Sequence, residues 1–551
     1  MGIPLFCKTI TRKYPTIIDS TVPKCSRLFL DLNCAIHQCA NNILQMNQST
    51  PSEKVEKDIV AHTIDYINTI ANYVKPVELM FIGIDGLPPF AKIVQQRKRR
   101  FVSSWRQNLI NTKRKETNSV YTEWDRNAIT PGTDFMAMLA TKLHEYFDVP
   151  SRYPFKIILS DSNEPGEGEA KILDYIKDNS VSKECDIIYG LDADLIMLAL
   201  LSSRNNIYLL REPAQYDMKN ACIPFMVFNI QLLRKYISVE CGSQDASFES
   251  KQIAEDIFDE NVVWDYVVLC FLQGNDFLAS LSYLKIRYNG IEMVVQIYKS
   301  IKEDLQQNLV IKSEDGKYEM NYIFLLKVLE KLKNVEDQCF CEAEENYYSK
   351  TSLPFVGKKT PSERIAFEID NYPTLNKFPR IIQSQKPGWR LRYYHALFNE
   401  ATDIQEINDI CLNYLEGIQW TLDYYFNRCI SRDWYYKYNY SPTIMDLYNF
   451  LLINMDDTDV YVRTSIDKNY EKIKYDTDLQ LLLCLPPASM NLLKTPIQKI
   501  MYDISLGCSH YYPEKFHITG YLKNYLWEAH PVLPVVDAKK LNDTKNKLLG
   551  I

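Results

Sequence analysis

Four apolar runs in the first half of the chain end in carboxylates, and that punctuation constrains the fold more than any other feature. LFLDLN (28–33) carries Asp31, and MFIGID (80–85) carries Asp85. FKIILSDSN (155–163) carries Asp161, and CDIIYGLDAD (185–194) carries Asp192 and Asp194. Helical patterns separate the runs, over 58–74, 133–146 and EGEAKILDYIKD (167–178). Short apolar runs alternating with helices predict an α/β fold, a mostly parallel twisted sheet flanked by helices. In such sheets a site lies beyond the carboxyl ends of the strands, which is where these acids fall.

The remainder of the chain reads differently. The charged run 97–128 (RKRRFVSSWRQNLINTKRKETNSVYTEWDR) predicts a protruding helix, and 240–256 is polar and loop-like. A helical, charged segment over 324–346 runs into the loop 347–363. The expected division is a first lobe 1–346, a linker 347–363, and a mainly α-helical second lobe 364–551 rich in Tyr and Trp. No internal repeat interrupts this order. With 46% hydrophobic and 24% charged residues, the composition is that of an ordinary globular protein. No run of about 18 charge-free apolar residues occurs, so no membrane span is expected.

The 14 cysteines are scattered from Cys7 to Cys508 behind no apolar leader, which reads as reduced thiols in a cytosolic or nuclear-type compartment. Cys339 and Cys341 lack a second pair at zinc spacing. Phe6, in place of Ser or Thr, excludes myristoylation at Gly2. The net charge of −7 means that any grip on nucleic acid must be local rather than spread over the surface.

Seven carboxylates stand out: Asp31, Asp85, Glu167, Glu169, Asp192, Asp194 and Asp276. Glu167 and Glu169 lie in SDSNEPGEGE, and Asp276 lies in QGNDF, where Gly274 permits a tight turn. Singly, an Asp at a strand end is ordinarily a helix cap or a solvated loop residue, and Asp161 fits that description. Together at one sheet edge the seven would repel one another strongly, and hard divalent cations offset such repulsion. Mg²⁺ or Mn²⁺ accept oxygen ligands of this kind, and a pair of ions about 4 Å apart suits phosphodiester hydrolysis. Pro165, Gly166 and Gly168 would let the backbone around Glu167 and Glu169 approach closely.

A basic run follows Asp85 directly. In GLPPFAKIVQQRKRRF, Lys92, Gln96, Arg99 and Arg100 share one helix face, and such forks and point charges suit a terminal phosphate. The alternative is a solvated charged face. Arg97 and Lys98 fall off that face, and Lys113, Arg114 and Lys115 read as exposed helix surface. His37 follows Asp31 by one to two turns. Trp434 (SRDWYYKYNYSP) and Trp420 (EGIQWTLDYYF) sit at spacings usual for a core, yet aromatic pairs also hold stacked bases.

These segments together resemble the Xrn-type 5′→3′ exoribonucleases. The resemblance rests on MGIPLFCKTITRKYP, LDLNCAIHQC, GIDGLPPFAKIVQQRKRRF, ITPGTDFMAML, SDSNEPGEGEAKI, YGLDADLIML and FLQGNDFLASL, and continues through YLEGIQWTLDYYFNRC, DWYYKYNYSP, LCLPPASMNLL and YYPEKF. It implies a flap-nuclease-like (PIN-like) α/β lobe and a helical second lobe. It places the seven acids on metal positions for two Mg²⁺ ions, with Mn²⁺ able to substitute. It places Lys92, Gln96, Arg99 and Arg100 on a 5′-monophosphate pocket, His37 on a base-stacking position, and Trp434 on its aromatic partner. The implied activity is processive 5′→3′ hydrolysis of single-stranded RNA to mononucleotides in mRNA decay. The implied enzyme is a cytoplasmic (alternatively nuclear) monomer, with the decapping machinery a candidate partner and no membrane association.

The sequence departs from the family pattern at several places. Arg432 stands where a second Trp is usual, Lys437 and Asn439 interrupt a Y-P-Y-H-Y pattern, and GNDFLASLS replaces a GNDFLPHLP-like motif. The long C-terminal extension of the cytoplasmic family member is not expected here. The rival readings are a DNA-directed flap nuclease of the same superfamily and an inactive RNA-binding scaffold.

Overall fold

The computed structural model describes residues 5–19, 21–46, 52–115, 124–179, 185–202, 204–213, 224–242, 258–350, 360–398, 403–428, 431–468, 470 and 472–551. Most of the polar stretch 240–256, part of the linker 347–363, and the side chains of Arg114 and Lys115 lie outside them.

Seven strands form the central sheet: β1 (Ile18–Asp19), β2 (Arg27–Asp31), β3 (Leu79–Gly83), β4 (Lys156–Ser160), β5 (Asp186–Tyr189), β6 (Ile207–Arg211) and β7 (Met226–Asn229). Their order is β1-β7-β6-β5-β2-β3-β4, parallel from β6 to β4 and antiparallel at β7 and β1. The first-lobe helices are α1 (Phe6–Lys13), α2 (Leu32–Met46), α3 (Ser52–Val74), α4 (Phe90–Lys115), α5 (Asp134–Phe147), α6 (Gly168–Asp178), α7 (Asp194–Leu201), α8 (Ile230–Cys241) and α9 (Glu260–Phe271).

Every residue of β2, β3 and β5 is buried, as expected of strands covered on both faces. Alternation within the strands divides the core. Leu28, Leu30, Met80, Ile82 and Ile187 pack with α2, α3 and α5. Phe29, Phe81 and Ile188 pack on the opposite face with α6 to α9. That second core is continuous with the apolar interior of the second lobe, where it includes Trp420, Trp434 and Leu447.

The register of the middle strands is pinned at their amino ends by a buried ion cluster. Arg27 donates to both oxygens of Asp186 at 2.7 Å, and Arg204 donates to the same carboxylate at 2.9 Å. This joins β2 to β5 directly and sets their carboxyl ends level.

The charged helix expected to protrude over 97–128 is packed along its described part, and residues 116–123 of it lie outside the described residues. Its 26 residues, about 39 Å long, lie against the second lobe. Arg97 is buried and donates to the carbonyls of Leu483 and Tyr511. Arg106 forks onto Asp370 at 2.6 and 3.1 Å, and Lys113 pairs with Glu368 at 3.2 Å. The charges serve a seam between lobes rather than a solvent face.

The long helix Tyr322–Ser349, expected at the end of the first lobe, packs instead along the helix Ile444–Ile453 of the second and forms part of its helical body. Glu336 on the former accepts from the first backbone N–H groups of the latter, Ile444 at 2.6 Å and Met445 at 3.2 Å. A carboxylate at a helix amino end satisfies orphan donors and complements the dipole.

Replacing Asp186 by Ala leaves two buried guanidinium groups without their carboxylate, a change worth about 3–5 kcal/mol. The urea midpoint is expected to fall sharply, whereas Lys57→Ala, in an exposed pair with Glu53, leaves it unchanged.

Candidate active site

The parallel register aligns the carboxyl ends of β5, β2, β3 and β4: Leu30 lies opposite Tyr189 and Ile82, and Gly83 opposite Asp31 and Ser160. Asp31 is the last residue of β2, Asp85 lies two residues beyond β3, and Asp192 and Asp194 follow β5. The amino end of α6 presses into this edge with Glu167 and Glu169. Close approach requires glycine there: a Cβ on Gly168 would lie 2.8 Å from Asp31 Oδ1 and 3.0 Å from the Gly83 carbonyl. Gly166, at φ +107°, makes the turn into the helix.

Asp85 holds the edge together. One oxygen accepts from the Gly168 N–H at 2.7 Å and the other from the Asn33 amide at 2.7 Å, while its own N–H donates to Asn33 Oδ1 at 3.1 Å. With both oxygens engaged, its structural work is to position α6 against β2. Lys171 assists by donating to the carbonyls of Ile84 and Asp161 at 2.8 and 2.7 Å. Asp161 itself accepts from the Asn163 N–H at 2.8 Å and faces His144, as a loop residue.

The cationic counterweight is Lys92. Its ammonium sits 2.5 Å from Glu167 and 3.0 Å from Asp276, so it is buried among the acids instead of lining an open cup. The second Glu167 oxygen accepts from the Tyr424 hydroxyl at 2.7 Å. Tyr424 stands on a π-helical turn, Asp423–Asn427, at the end of the buried helix Ile404–Leu422. The second lobe thus completes the site.

The electrostatics tie all seven carboxylates into one cluster. Burial, followed by the Asp85, Asp192 and Glu167 charges, raises Asp31 well above the usual carboxylate range. Burial and then Glu167 push Asp85 up to about 6, and burial and then Asp276 push Asp194 up to about 7. Glu169 is raised by burial, then by Glu167. Asp276 goes the other way: burial opposes its charge, but the Lys92 ammonium holds it below its ordinary value. Burial likewise opposes the Lys92 charge, and Glu167 and Asp276 nonetheless raise it.

This donor set fits hard divalent cations. Oxygen ligands predominate, negative charge is in surplus, and Asp194 Oδ1 is buried without a hydrogen-bond partner. The acids are gathered but not caged. Among the described residues, no three acidic, histidine or cysteine side chains already surround a common point at metal-ligand spacing. Glu167 and Asp276 instead turn toward Lys92.

The remaining sequence candidates divide. His37 is exposed, beside Arg99, Arg100 and Arg126. Desolvation, and then the Arg99, Arg100 and Arg126 charges, hold its imidazole below its ordinary value. Gln96 meets Gln480 at 3.3 Å, Arg100 donates to Cys484 Sγ at 2.7 Å, and Arg99 is exposed.

Trp434 is not a stacking surface. It is fully buried, stacked on Trp420 at 5.1 Å, and its indole N–H donates to Glu416 at 3.1 Å. Sequence reasoning missed Tyr424, Arg126 and Asn33. Of these only Asn33, two residues after Asp31, carried a local signal.

A folded-state pKa above the unfolded value means that the native site binds extra protons. Its stability contribution is full below about pH 4 and lost as pH rises through the values of about 6 and 7. In chelator, the thermal midpoint is expected to fall from about pH 5 to about pH 8, and Asp194→Asn to flatten that fall. Added magnesium should raise the midpoint more at the alkaline end. A midpoint that climbs with pH, or one indifferent to magnesium, contradicts this electrostatic picture.

Comparison with known proteins agrees with the geometry. Residues 1–213 match the family described as XRN 5'-3' exonuclease N-terminus, and residues 256–359 and 358–550 match the Xrn1 helical domain. The two matches divide the chain between 213 and 256, upstream of the linker expected at 347–363. Human 5'-3' exoribonuclease 1 is 28% identical over 98% of this chain, which spans 34% of that protein. The Drosophila melanogaster 5'-3' exoribonuclease 2 homolog is 26% identical over 98% of this chain, here spanning 70% of the relative. Saccharomyces cerevisiae 5'-3' exoribonuclease 1 is 25% identical over 98% of this chain and 43% of its own length. With both family segments matched in order across the sheet lobe and the helical lobe, the chain belongs to the XRN 5'-3' exonuclease family.

Proposed function

We propose that this chain is a 5′→3′ exoribonuclease that hydrolyses single-stranded RNA from a 5′-monophosphate end, releasing mononucleotides in RNA decay. The observation that carries the reading is the convergence of seven carboxylates from separate segments on one sheet edge, beside the cationic helix α4. Asp31, Glu169, Asp192 and Asp194 would hold divalent ions, with Glu167 and Asp276 joining them when Lys92 turns away. Two Mg²⁺ ions, or Mn²⁺ in their place, supply water activation and charge neutralisation at a scissile phosphate.

The chain's own groups supply the rest. Asp85 fixes α6 so that Glu167 and Glu169 keep their aim. Tyr424 orients Glu167 from the second lobe. Lys92, once released from its carboxylates, can meet a phosphate oxygen. Arg99 and Arg100 present forked donors for a 5′ phosphate, and the ring of His37 beside them offers a flat face to the leading base. The aromatic partner of His37 is a residue other than the buried Trp434. Release of one nucleotide followed by one step of the strand would make the reaction processive.

We place the enzyme in the cytoplasm, with the nucleus as the alternative compartment. No described helix is long and apolar enough to cross a membrane.

The pair Asp192→Ala and Asp194→Ala should cut magnesium-dependent RNA hydrolysis by about 1000-fold or more, roughly 4 kcal/mol of barrier, while RNA binding stays measurable. Full activity in that variant would refute the assignment. Parallel digestion of RNA bearing a 5′ monophosphate or a 5′ hydroxyl, and of flapped DNA, should show preference for the phosphorylated RNA. Preference for the flap would favour the DNA-directed reading. Arg99→Ala with Arg100→Ala should narrow the monophosphate-to-hydroxyl ratio by about tenfold.

A further inference from the structure

A cavity of about 420 Å³ opens on the side of α4 away from Gln96 and Arg100, between the Asp276 loop and the second lobe. It shares Arg99 with the helix face already described and includes Asp276 in its wall, so it adjoins the acidic cluster. Its charges do not balance. Each of its three carboxylates already has a cation: Asp276 meets Lys92 at 3.0 Å, Asp370 meets Arg106 at 2.6 Å, and Glu528 meets Arg287 at 3.8 Å. Lys98, Arg99, Lys285 and Lys523 also line it, and none of these four pairs with a carboxylate among the described residues.

Lys285 donates to the Leu522 carbonyl and Lys98 to the Tyr438 carbonyl at 3.5 Å, neutral acceptors that leave their charge uncompensated, and several neutral polar groups have no partner at all. Both amide atoms of Gln273, Nδ2 of Asn275, Oδ1 of Asn439 and Nε2 of His530 are buried without a hydrogen-bond partner among the protein atoms, and all four residues line the cavity. Gln273 is 4% exposed. Buried polar atoms left unpaired are costly, and several converging on one cavity indicate a ligand that pairs them. Tyr435, Tyr436, Tyr438 and Trp527 contribute ring surface. The volume exceeds what orthophosphate fills and falls within the usual range for a small organic ligand.

We propose that this cavity is a second nucleotide site, which takes a nucleoside 5′-monophosphate with its phosphate on Lys98, Lys285 and Lys523 and its base against the amides and tyrosines. The charge environment agrees. Burial, then Lys523, holds Lys285 down to about 7, and burial holds Lys98 down to about 8. An anion between Lys285 and Lys523 would restore the Lys285 charge. Two of the places where the chain departs from the family pattern, Asn439 and the Ala279–Ser280 pair, lie in this wall. The same chemistry could reach the cavity as a released mononucleotide or as the 5′-terminal nucleotide of the strand. The proposal rests on the nuclease reading only for the source of the nucleotide, since binding can be measured without turnover.

The test is site-resolved lysine acylation, read by mass spectrometry on the whole chain in chelator. Adenosine 5′-monophosphate should protect Lys285 and Lys523 about tenfold, the effect of a charge-assisted contact worth roughly 1.4 kcal/mol, and leave exposed Lys142 unprotected. Protection should persist in Arg100→Gln, since that side chain faces elsewhere. Unchanged labelling of Lys285 and Lys523, equal protection by adenosine, or loss of protection in Arg100→Gln would overturn the site. A 5′-phosphorylated oligonucleotide that also protects them identifies the strand end as the source, and protection by the mononucleotide alone identifies the product. As a second readout, Lys285→Arg should retain binding and Lys285→Gln weaken it by about tenfold. Equal binding by the two would also count against the site.

Discussion

The structure depends on a confrontation of like charge. Carboxylates from β2, β5, α6 and the Asp276 loop are held together in a place largely closed to water, where repulsion is poorly screened. One buried ammonium, Lys92, is the main fixed counter-charge, and it engages only Glu167 and Asp276 directly. Several local features maintain this arrangement against its own electrostatics. Gly168 admits the α6 backbone, Asp85 and Asn33 lock it, and the Arg27–Asp186–Arg204 cluster sets the strand ends level from the far side of the sheet. Strain of this kind is expected where a site is preorganised for an ion or a charged transition state.

The second lobe is part of the same machine. One apolar core runs from the sheet through α9 into the helix Ile404–Leu422, and the π-helical turn ending that helix delivers Tyr424 to Glu167. From the other side, α4 is gripped along its length by Leu483, Tyr511, Asp370 and Glu368. Since α4 also carries Lys92 and the arginines beside His37, the lobe contact sets the position of the cationic side chains relative to the acids. A change at this seam would therefore be felt at the chemistry.

What the sequence made legible follows from which signals are local. Six of the acids were readable because they end or follow a strand whose apolar run is itself readable, Gly166 and Gly168 marked the close approach, and Asp276, behind α9, was marked only by its QGNDF turn. The strands β6 and β7 were not among the four runs: β7 ends in Asn229, and Glu212, directly after β6, is turned away from the acidic edge to accept from the Tyr189 hydroxyl at 2.7 Å. Trp434 could not be told from a stacking residue because its role is decided by Trp420 and Glu416, which meet it only in the fold. The charge of α4 was visible, but its partners lie hundreds of residues away, so the seam along its described length could not be read. The cavity walls come from α4, the Asp276 loop, the 435–439 segment and the 523–530 segment, and no spacing rule connects those four.

On this reading the crowded edge is built to hold divalent metal. Anomalous diffraction from crystals soaked in manganese tests it most directly. Manganese peaks are expected about 2.0–2.2 Å from oxygens of Asp31, Asp194 and their neighbours, with the Lys92 ammonium displaced from Glu167 or Asp276. Peaks confined to surface carboxylates, or none at all with Lys92 still bridging the two acids at saturating manganese, would contradict it.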